Sequence, residues 1–194
     1  MVAFRNKISN EEVAELEAVR FDGEIVIIDS DDALERACHE LAEQRVLGFD
    51  TETRPSFKAG VTNKVALLQL STYDRCYLIR LCRVKLSNKL LSILQRSDIV
   101  KIGADVAGDL RSLGKLRAFT PRGFVDLQTE VAKFGIEDKS LRKMSGIVLG
   151  KRVSKAQRLS NWEAQNFTEQ QRLYAATDAW VCLKIYDALR ATQK

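Results

Sequence analysis

Val46-Leu47-Gly48-Phe49-Asp50-Thr51-Glu52-Thr53 begins as a buried strand and ends in two acids. Successive side chains of a strand point to opposite faces, which puts Asp50 and Glu52 on one face and Leu47, Phe49 and Thr51 on the other. Gly48 leaves room beside the acids. Two carboxylates on one face of a core strand are costly unless a cation or a partner neutralises them. No Lys or Arg lies between Val46 and Thr53, so neutralising charge must come from elsewhere. A hard divalent metal bound through oxygen is one source. The alternative is a strand end emerging into solvent, with Glu52 an ordinary surface acid.

The rest of the composition narrows the classes. A chain of 194 residues suits one domain with a sizeable core, and 45% hydrophobic residues argue against disorder. A formal net charge of +5 suits an acidic partner such as nucleic acid. The cysteines Cys38, Cys76, Cys82 and Cys182 form no C-x-x-C pair, which removes support for zinc ribbons and thioredoxin-type redox chemistry. His39 is the single histidine, and no G-x-S-x-G elbow accompanies it. P-loop and G-x-G-x-x-G patterns are missing. No segment approaches the roughly 20 apolar residues of a membrane span. The expected address is a soluble, reducing compartment, the cytoplasm.

Taken in order, the chain predicts a short polar helix over Asn10–Arg20, capped by Ser9 or Asn10. Strand Glu24–Ile28 and helix Ala33–Gln44 precede the acidic strand. Thr53–Asn63, with Pro55, Gly60, Arg54 and Lys58, reads as a loop at the mouth of whatever the acids build. Lys64–Ser71 and Arg75–Ile79 are strands joined by a tight turn, which makes an antiparallel three-strand meander with the acidic strand. Helix Leu86–Gln95, strand Ile99–Gly103, helix Asp105–Leu113 and strand Phe124–Asp126 then alternate, the mark of parallel strands. Helices Thr129–Gly135, Ser140–Leu149 and Thr168–Arg190 complete a mixed α/β sheet with helices on both faces. Lys151–Gln157 is a basic loop.

Two more acids stand where acids are costly. Asp109 enters a helix directly after a buried strand, beside Gly108. Helix N-terminal electrostatics explains Asp105 better than Asp109, which lies a turn further in. In the last helix, at about 100° per residue, Tyr174, Asp178, Val181, Ile185 and Leu189 share one stripe. Asp178 therefore sits on an apolar face, with Tyr174 one turn before it. Amphipathic packing alone would also account for Tyr174. Four carboxylates from different elements with a phenol nearby match the demand of a two-metal site. There, divalent ions roughly 3.5–4 Å apart stabilise the attacking and leaving oxygens of a phosphodiester displacement.

Phe49-Asp50-Thr51-Glu52, Asp109 within Gly-Asp-Leu-Arg-Ser-Leu, and Tyr174-Ala175-Ala176-Thr177-Asp178 together resemble the DEDD 3′–5′ exonucleases of the ribonuclease H-like fold. The tyrosine four residues before the last aspartate resembles the DEDDy branch. Lys64–Leu70 and Leu159-Ser160-Asn161-Trp162 are similar to Werner-type exonuclease domains and, more distantly, to ribonuclease D. The polar N-terminal stretch reads as a helical extension over 1–22 that packs on the domain, and the resemblance, running from about Glu24 to Leu189, implies an exonuclease domain over 23–194. It implies two divalent cations, Mg²⁺ or Mn²⁺, held by Asp50, Glu52, Asp109 and Asp178, with Asp109 acting largely through water and Tyr174 orienting the attacking water. Substrate contacts are expected from Thr51, Leu68, Gln69, Arg54 and Arg158. Lys58, Lys64, Lys151, Arg152 and Lys155 are further candidates for gripping phosphates, or else, like Arg54 and Arg158, solvated surface charges. Trp162 is either core packing or a base-stacking platform. Thr53-Arg54-Pro55 departs from the bulky residue that the family often carries after its first motif, so base-wedging contacts do not transfer there.

The expected partner is nucleic acid at single-stranded 3′ ends, DNA ahead of RNA, with nucleoside 5′-monophosphates as product. A ribonuclease D-like RNA-processing enzyme, a catalytically silent nucleic-acid-binding module and a phosphatase of free nucleotides are the competing readings.

Overall fold

The computed structural model describes residues 4–56, 60 and 63–192. Six strands, β1 (Glu24–Ile28), β2 (Val46–Thr53), β3 (Val65–Ser71), β4 (Arg75–Arg80), β5 (Val100–Gly103) and β6 (Phe124–Asp126), form one sheet in the order β1-β4-β3-β2-β5-β6. The expected meander is present: β2 pairs antiparallel with β3, and β3 with β4. The remaining pairs, β1 with β4, β2 with β5 and β5 with β6, are parallel. Every residue of β3 is buried, as a central strand covered on both faces requires. Lys58, expected in the loop after β2, lies outside the described residues.

Helices cover both faces. On one lie α2 (Asp31–Ala42), α3 (Asn88–Leu94) and α4 (Val106–Leu116), packed on Leu47, Phe49, Leu68, Leu70 and Ile79. On the other lie α5 (Leu127–Ala132), α6 (Leu141–Leu149) and the long α7 (Glu169–Ala191), with Ile102 beneath them. The expected capping box starts α7: Thr168 Oγ1 accepts from the Gln171 amide at 3.1 Å, and Gln171 Oε1 accepts from the Thr168 amide at 2.9 Å. No described helix is long and apolar enough to cross a membrane.

Several boundaries move. The helix expected over Asn10–Arg20 stops early, as α1 (Asn10–Glu15). Glu17–Val19 is drawn out to pair with Arg152, the Val19 amide donating to the Arg152 carbonyl and the Arg152 amide to the Glu17 carbonyl, both at 2.9 Å. That backbone pairing replaces the last helical turns. The segment is also anchored by its own side chains: Ile8, Val13 and Phe21 are buried in the core. The helix expected from Ala33 starts at Asp31, because Ser30 Oγ caps the Ala33 amide. The helix expected from Thr129 starts at Leu127, because the Asp126 carboxylate accepts from the Gln128 amide at 2.9 Å.

Gly48 sets the spacing between sheet and α7. A Cβ there would stand 2.0 Å from the Ala179 carbonyl oxygen of α7, and glycine is the residue that lets the two backbones meet. Gly48→Ala is therefore expected to push α7 off β2, at a cost of about 1–3 kcal/mol. Denaturant melts should show a lowered midpoint at unchanged m-value; an unchanged midpoint would refute the contact.

Candidate active site

Alternation along β2 does what the sequence requires. Gly48, Asp50 and Glu52 face α7, while Leu47, Phe49 and Thr51 face the α2–α4 layer. Because Gly48 admits α7 at Ala179, the next residue along, Asp178, arrives over the two strand acids. Ligand oxygens of Asp50, Glu52 and Asp178 lie within 4.8 Å of one another. Asp178 is 7% exposed in the middle of the α7 packing face, as its stripe predicts.

Asp109 reaches the site from the opposite layer and stands outside that trio. Thr51 Oγ1 donates to Asp109 Oδ1 at 2.6 Å, so the residue between the two strand acids holds the fourth. Thr51, expected to touch substrate, has this bond as its described role. The chain enters α4 through Asp105 at φ +60°, a left-handed conformation that aspartate tolerates better than most residues. Asp105 and Asp126 flank Asp109, and both carboxylates raise its pKa.

The site carries more negative charge than its protein surroundings compensate. Burial pushes the Asp109 and Asp178 carboxyls up to about 7. Burial and then the charges of Asp178 and Asp109 push Glu52 to about 9, against the lowering effect of Arg158. Asp50 is raised well above its usual range by burial first, then by Glu52, Asp178 and Asp109. Asp178 Oδ1 and Asp109 Oδ2 are buried without a hydrogen-bond partner. Orphaned carboxylate oxygens in a cluster made entirely of oxygen donors fit a hard divalent cation such as Mg²⁺ or Mn²⁺. The Tyr174 phenol lies beside the Asp178 carboxylate, and burial followed by the neighbouring acids holds its pKa far above the ordinary phenol value. Its ring lies 6.0 Å from that of Trp162, which is fully buried and therefore packs in the core.

The expected substrate contacts separate. Leu68 pairs with Thr51 and is fully buried in the core on the α2–α4 side, so it presents no surface to a nucleotide. Gln69 pairs with Asp50 and shares its face, yet it too is fully buried, and neither carboxamide atom has a partner. Arg54 is exposed at the end of β2, where it forms an ion pair with Glu163 at 3.1 Å. Arg158 is exposed, and its charge acts on Glu52. Lys64 and Lys155 are exposed, whereas Lys151 pairs with Glu17 and Arg152 Nε donates to the Leu16 carbonyl at 3.2 Å. Glu163 was missed in the sequence. Nothing local marks it, because its partner lies 109 residues away.

The charge balance has a pH signature. Carboxyls that keep their protons in the fold, to about 7 for Asp109 and Asp178 and about 9 for Glu52, lose them near pH 4 in the unfolded chain. Their stabilising contribution is complete below about pH 4 and is lost as pH rises through those folded values. Without divalent metal, the melting temperature should fall between pH 5 and pH 9. Mn²⁺ at a hundredfold excess over Kd should restore roughly 5–10 °C at pH 8 and less at pH 5.5. A scanning calorimetry series with a pH-independent metal effect would contradict this charge assignment.

A family model described as 3′–5′ exonuclease matches residues 25–193. The bifunctional 3′–5′ exonuclease/ATP-dependent helicase WRN of Mus musculus is 36% identical over 158 residues, covering 77% of this chain and 11% of that protein. Among solved structures, the Aedes aegypti Nibbler EXO domain superimposes with a TM-score of 0.81 at 26% identity, covering 90% of this chain and 91% of that one. Trypanosoma brucei RNase D in complex with RNA U12 superimposes with a TM-score of 0.77 at 18% identity, covering 87% and 63%. The chain thus spans about a tenth of the mouse protein's length. The mixed sheet with helices on both faces is the ribonuclease H-like fold of these exonuclease neighbours. With the acidic cluster, the Tyr174–Asp178 pair and a family match over nearly its whole length, this chain belongs to the 3′–5′ exonuclease family.

Proposed function

We propose that this chain is a divalent-metal-dependent 3′–5′ exonuclease that removes nucleotides from single-stranded 3′ ends of nucleic acid, DNA ahead of RNA, as nucleoside 5′-monophosphates. The observation that carries the reading is the trio of Asp50, Glu52 and Asp178 within 4.8 Å, with one Asp178 oxygen buried and unpartnered. A module that only binds would bear the cost of that charge without using it. In this proposal Asp50, Glu52 and Asp178 hold two cations, Mg²⁺ or Mn²⁺, and Asp109 supports them from its bond to Thr51. Bound divalent cations lower the pKa of water and neutralise charge building on a phosphodiester.

The chain's own groups do the rest. With its pKa so far raised, Tyr174 stays protonated at any working pH. It is therefore a hydrogen-bond donor and acceptor that orients the attacking water, and no base is asked of it. Glu52 sits beside the terminal 3′ hydroxyl, and Arg158 meets the phosphate. Arg54 joins it on release from Glu163. RNA is the second reading, favoured by the similarity to an RNase D bound to RNA. A cytoplasmic, reducing address belongs to the proposal, supported by four cysteines that are all free thiols.

On 5′-labelled DNA and RNA oligomers with Mg²⁺ or Mn²⁺, a ladder shortening from the 3′ end is expected, abolished by chelator and faster on DNA. Faster cutting of RNA would reverse the substrate order, and no ladder on either would overturn the activity. Asp50→Ala and Asp178→Ala should each leave less than about a tenth of the rate, as the loss of a metal ligand requires. Retention of more in either would refute the ligand assignment. Tyr174→Phe should slow turnover by roughly a hundredfold, the scale of losing one preorganised hydrogen-bonding group, with Mn²⁺ affinity by calorimetry unchanged. An unaltered rate would reduce Tyr174 to packing.

A further inference from the structure

The N-terminal segment does more than pack. Beyond α1 it runs extended, pairs at Ala18 with Arg152, and ties Glu17 to Lys151 by an ion pair. It then crosses to the catalytic helix, where the Phe21 amide donates to Thr177 Oγ1 at 3.1 Å. Thr177 is the residue before Asp178. This strap, the loop around Arg152 and the first turns of α7 enclose a cleft of about 380 Å³. Tyr174 and Asp178 line it, so the cleft opens onto the acidic site. Its other walls include Ala18 and Arg20 from the strap, and Arg152 and Gln157 from the loop.

The chemistry of those walls selects an occupant. Arg20 is exposed and makes no ion pair among the described residues. Arg152 spends its Nε on the Leu16 carbonyl, which leaves the rest of the guanidinium to meet an anion. The Tyr174 ring offers a stacking surface and the Gln157 carboxamide reads hydrogen-bonding edges. Two cations, a ring and an amide, set against the Glu169 carboxylate in the same lining, around a volume at the small end of ligand pockets suit one nucleotide. The strap lies outside the residues matched to the family, 25–193, so that match assigns it no part in substrate binding.

We propose that this strap-walled cleft is a nucleotide-binding subsite beside the reaction centre, through which the N-terminal segment helps to choose the substrate. The inference rests on the exonuclease reading for its occupant, a nucleotide unit of the strand or a released nucleoside 5′-monophosphate.

Calorimetric titration of the full chain with AMP and dAMP in Mg²⁺, followed by oligomer kinetics, tests it. Ala18→Trp fills the cleft from its exposed wall and should weaken monophosphate binding at least tenfold. It should raise the oligomer KM at least fivefold and leave Mn²⁺ affinity unchanged. Arg20→Ala removes one cation without adding bulk. It should weaken binding about threefold and flatten the salt dependence of log KM by roughly one phosphate contact. If Ala18→Trp fails to fold, Arg20→Ala decides. Monophosphate affinity and KM within twofold of wild type in the folded variants would overturn the subsite while the exonuclease activity stood. Monophosphate binding that Arg20→Ala weakens, in a wild-type chain that cuts no strand, would keep the subsite and sink the exonuclease reading.

Discussion

The contact between the Gly48 backbone and the Ala179 carbonyl governs the chemistry of this molecule, because it sets how near α7 lies to β2. Helix and strand backbones seldom approach so closely, and here small residues on both sides allow it. On α7, Ala175, Ala176 and Ala179 are fully buried. Two residues along the strand from Gly48 is Asp50, and one residue along the helix before Ala179 is Asp178. A wider spacing would separate the strand acids from the helix acid and leave no shared pocket for a cation.

Bringing those acids together opposes folding. Each carboxylate is displaced from water, and Asp178 and Asp109 raise the pKa of both strand acids. The packing that compels them is extensive: the α7 face presents Val181, Leu183, Ile185 and Leu189 to the core, all buried. Thr51 holds Asp109 from the other side of the sheet, so the strand carries acids on one face and positions an acid with the other. Stability given up at the site is offset by apolar burial elsewhere, and a bound cation would recover part of it. The same arrangement raises the Tyr174 pKa, which suits the orienting role proposed for it.

Much of this was legible because it is local. Strands Glu24–Ile28, Val46–Thr53 and Phe124–Asp126 appear with the expected ends, since short apolar runs bounded by turn residues leave few alternatives. The meander followed from the short connection between β3 and β4. Helix ends were less legible, because capping by Ser30 and Asp126 competes with several neighbouring polar residues. Leu68 illustrates a different limit. It lies one residue from Gln69, but the period of two in a strand turns it into the opposite core. Lys101 is another case: in sequence it interrupts a short apolar strand. In the fold it is fully buried, donating to the carbonyls of Ile93 at 3.1 Å, Arg96 at 2.7 Å and Ile99 at 2.6 Å.

By itself the sequence determined which side chains share a face: Asp50 with Glu52 on one strand, and Tyr174 with Asp178 on one helix. Those relations follow from backbone periods of 2.0 and 3.6 residues and need no partner. It also determined family membership, because the motifs keep their order and chemistry along the chain. The tertiary structure decided which acids meet. It put Asp178 with the strand acids and gave Asp109 to Thr51. It paired Arg54 with Glu163, and it drew the N-terminal segment across α7 as a wall of the cleft. These contacts join residues 58 to 156 positions apart. Their distances are set by how bulky the intervening side chains are where layers stack, a property of the packed core that no local pattern encodes.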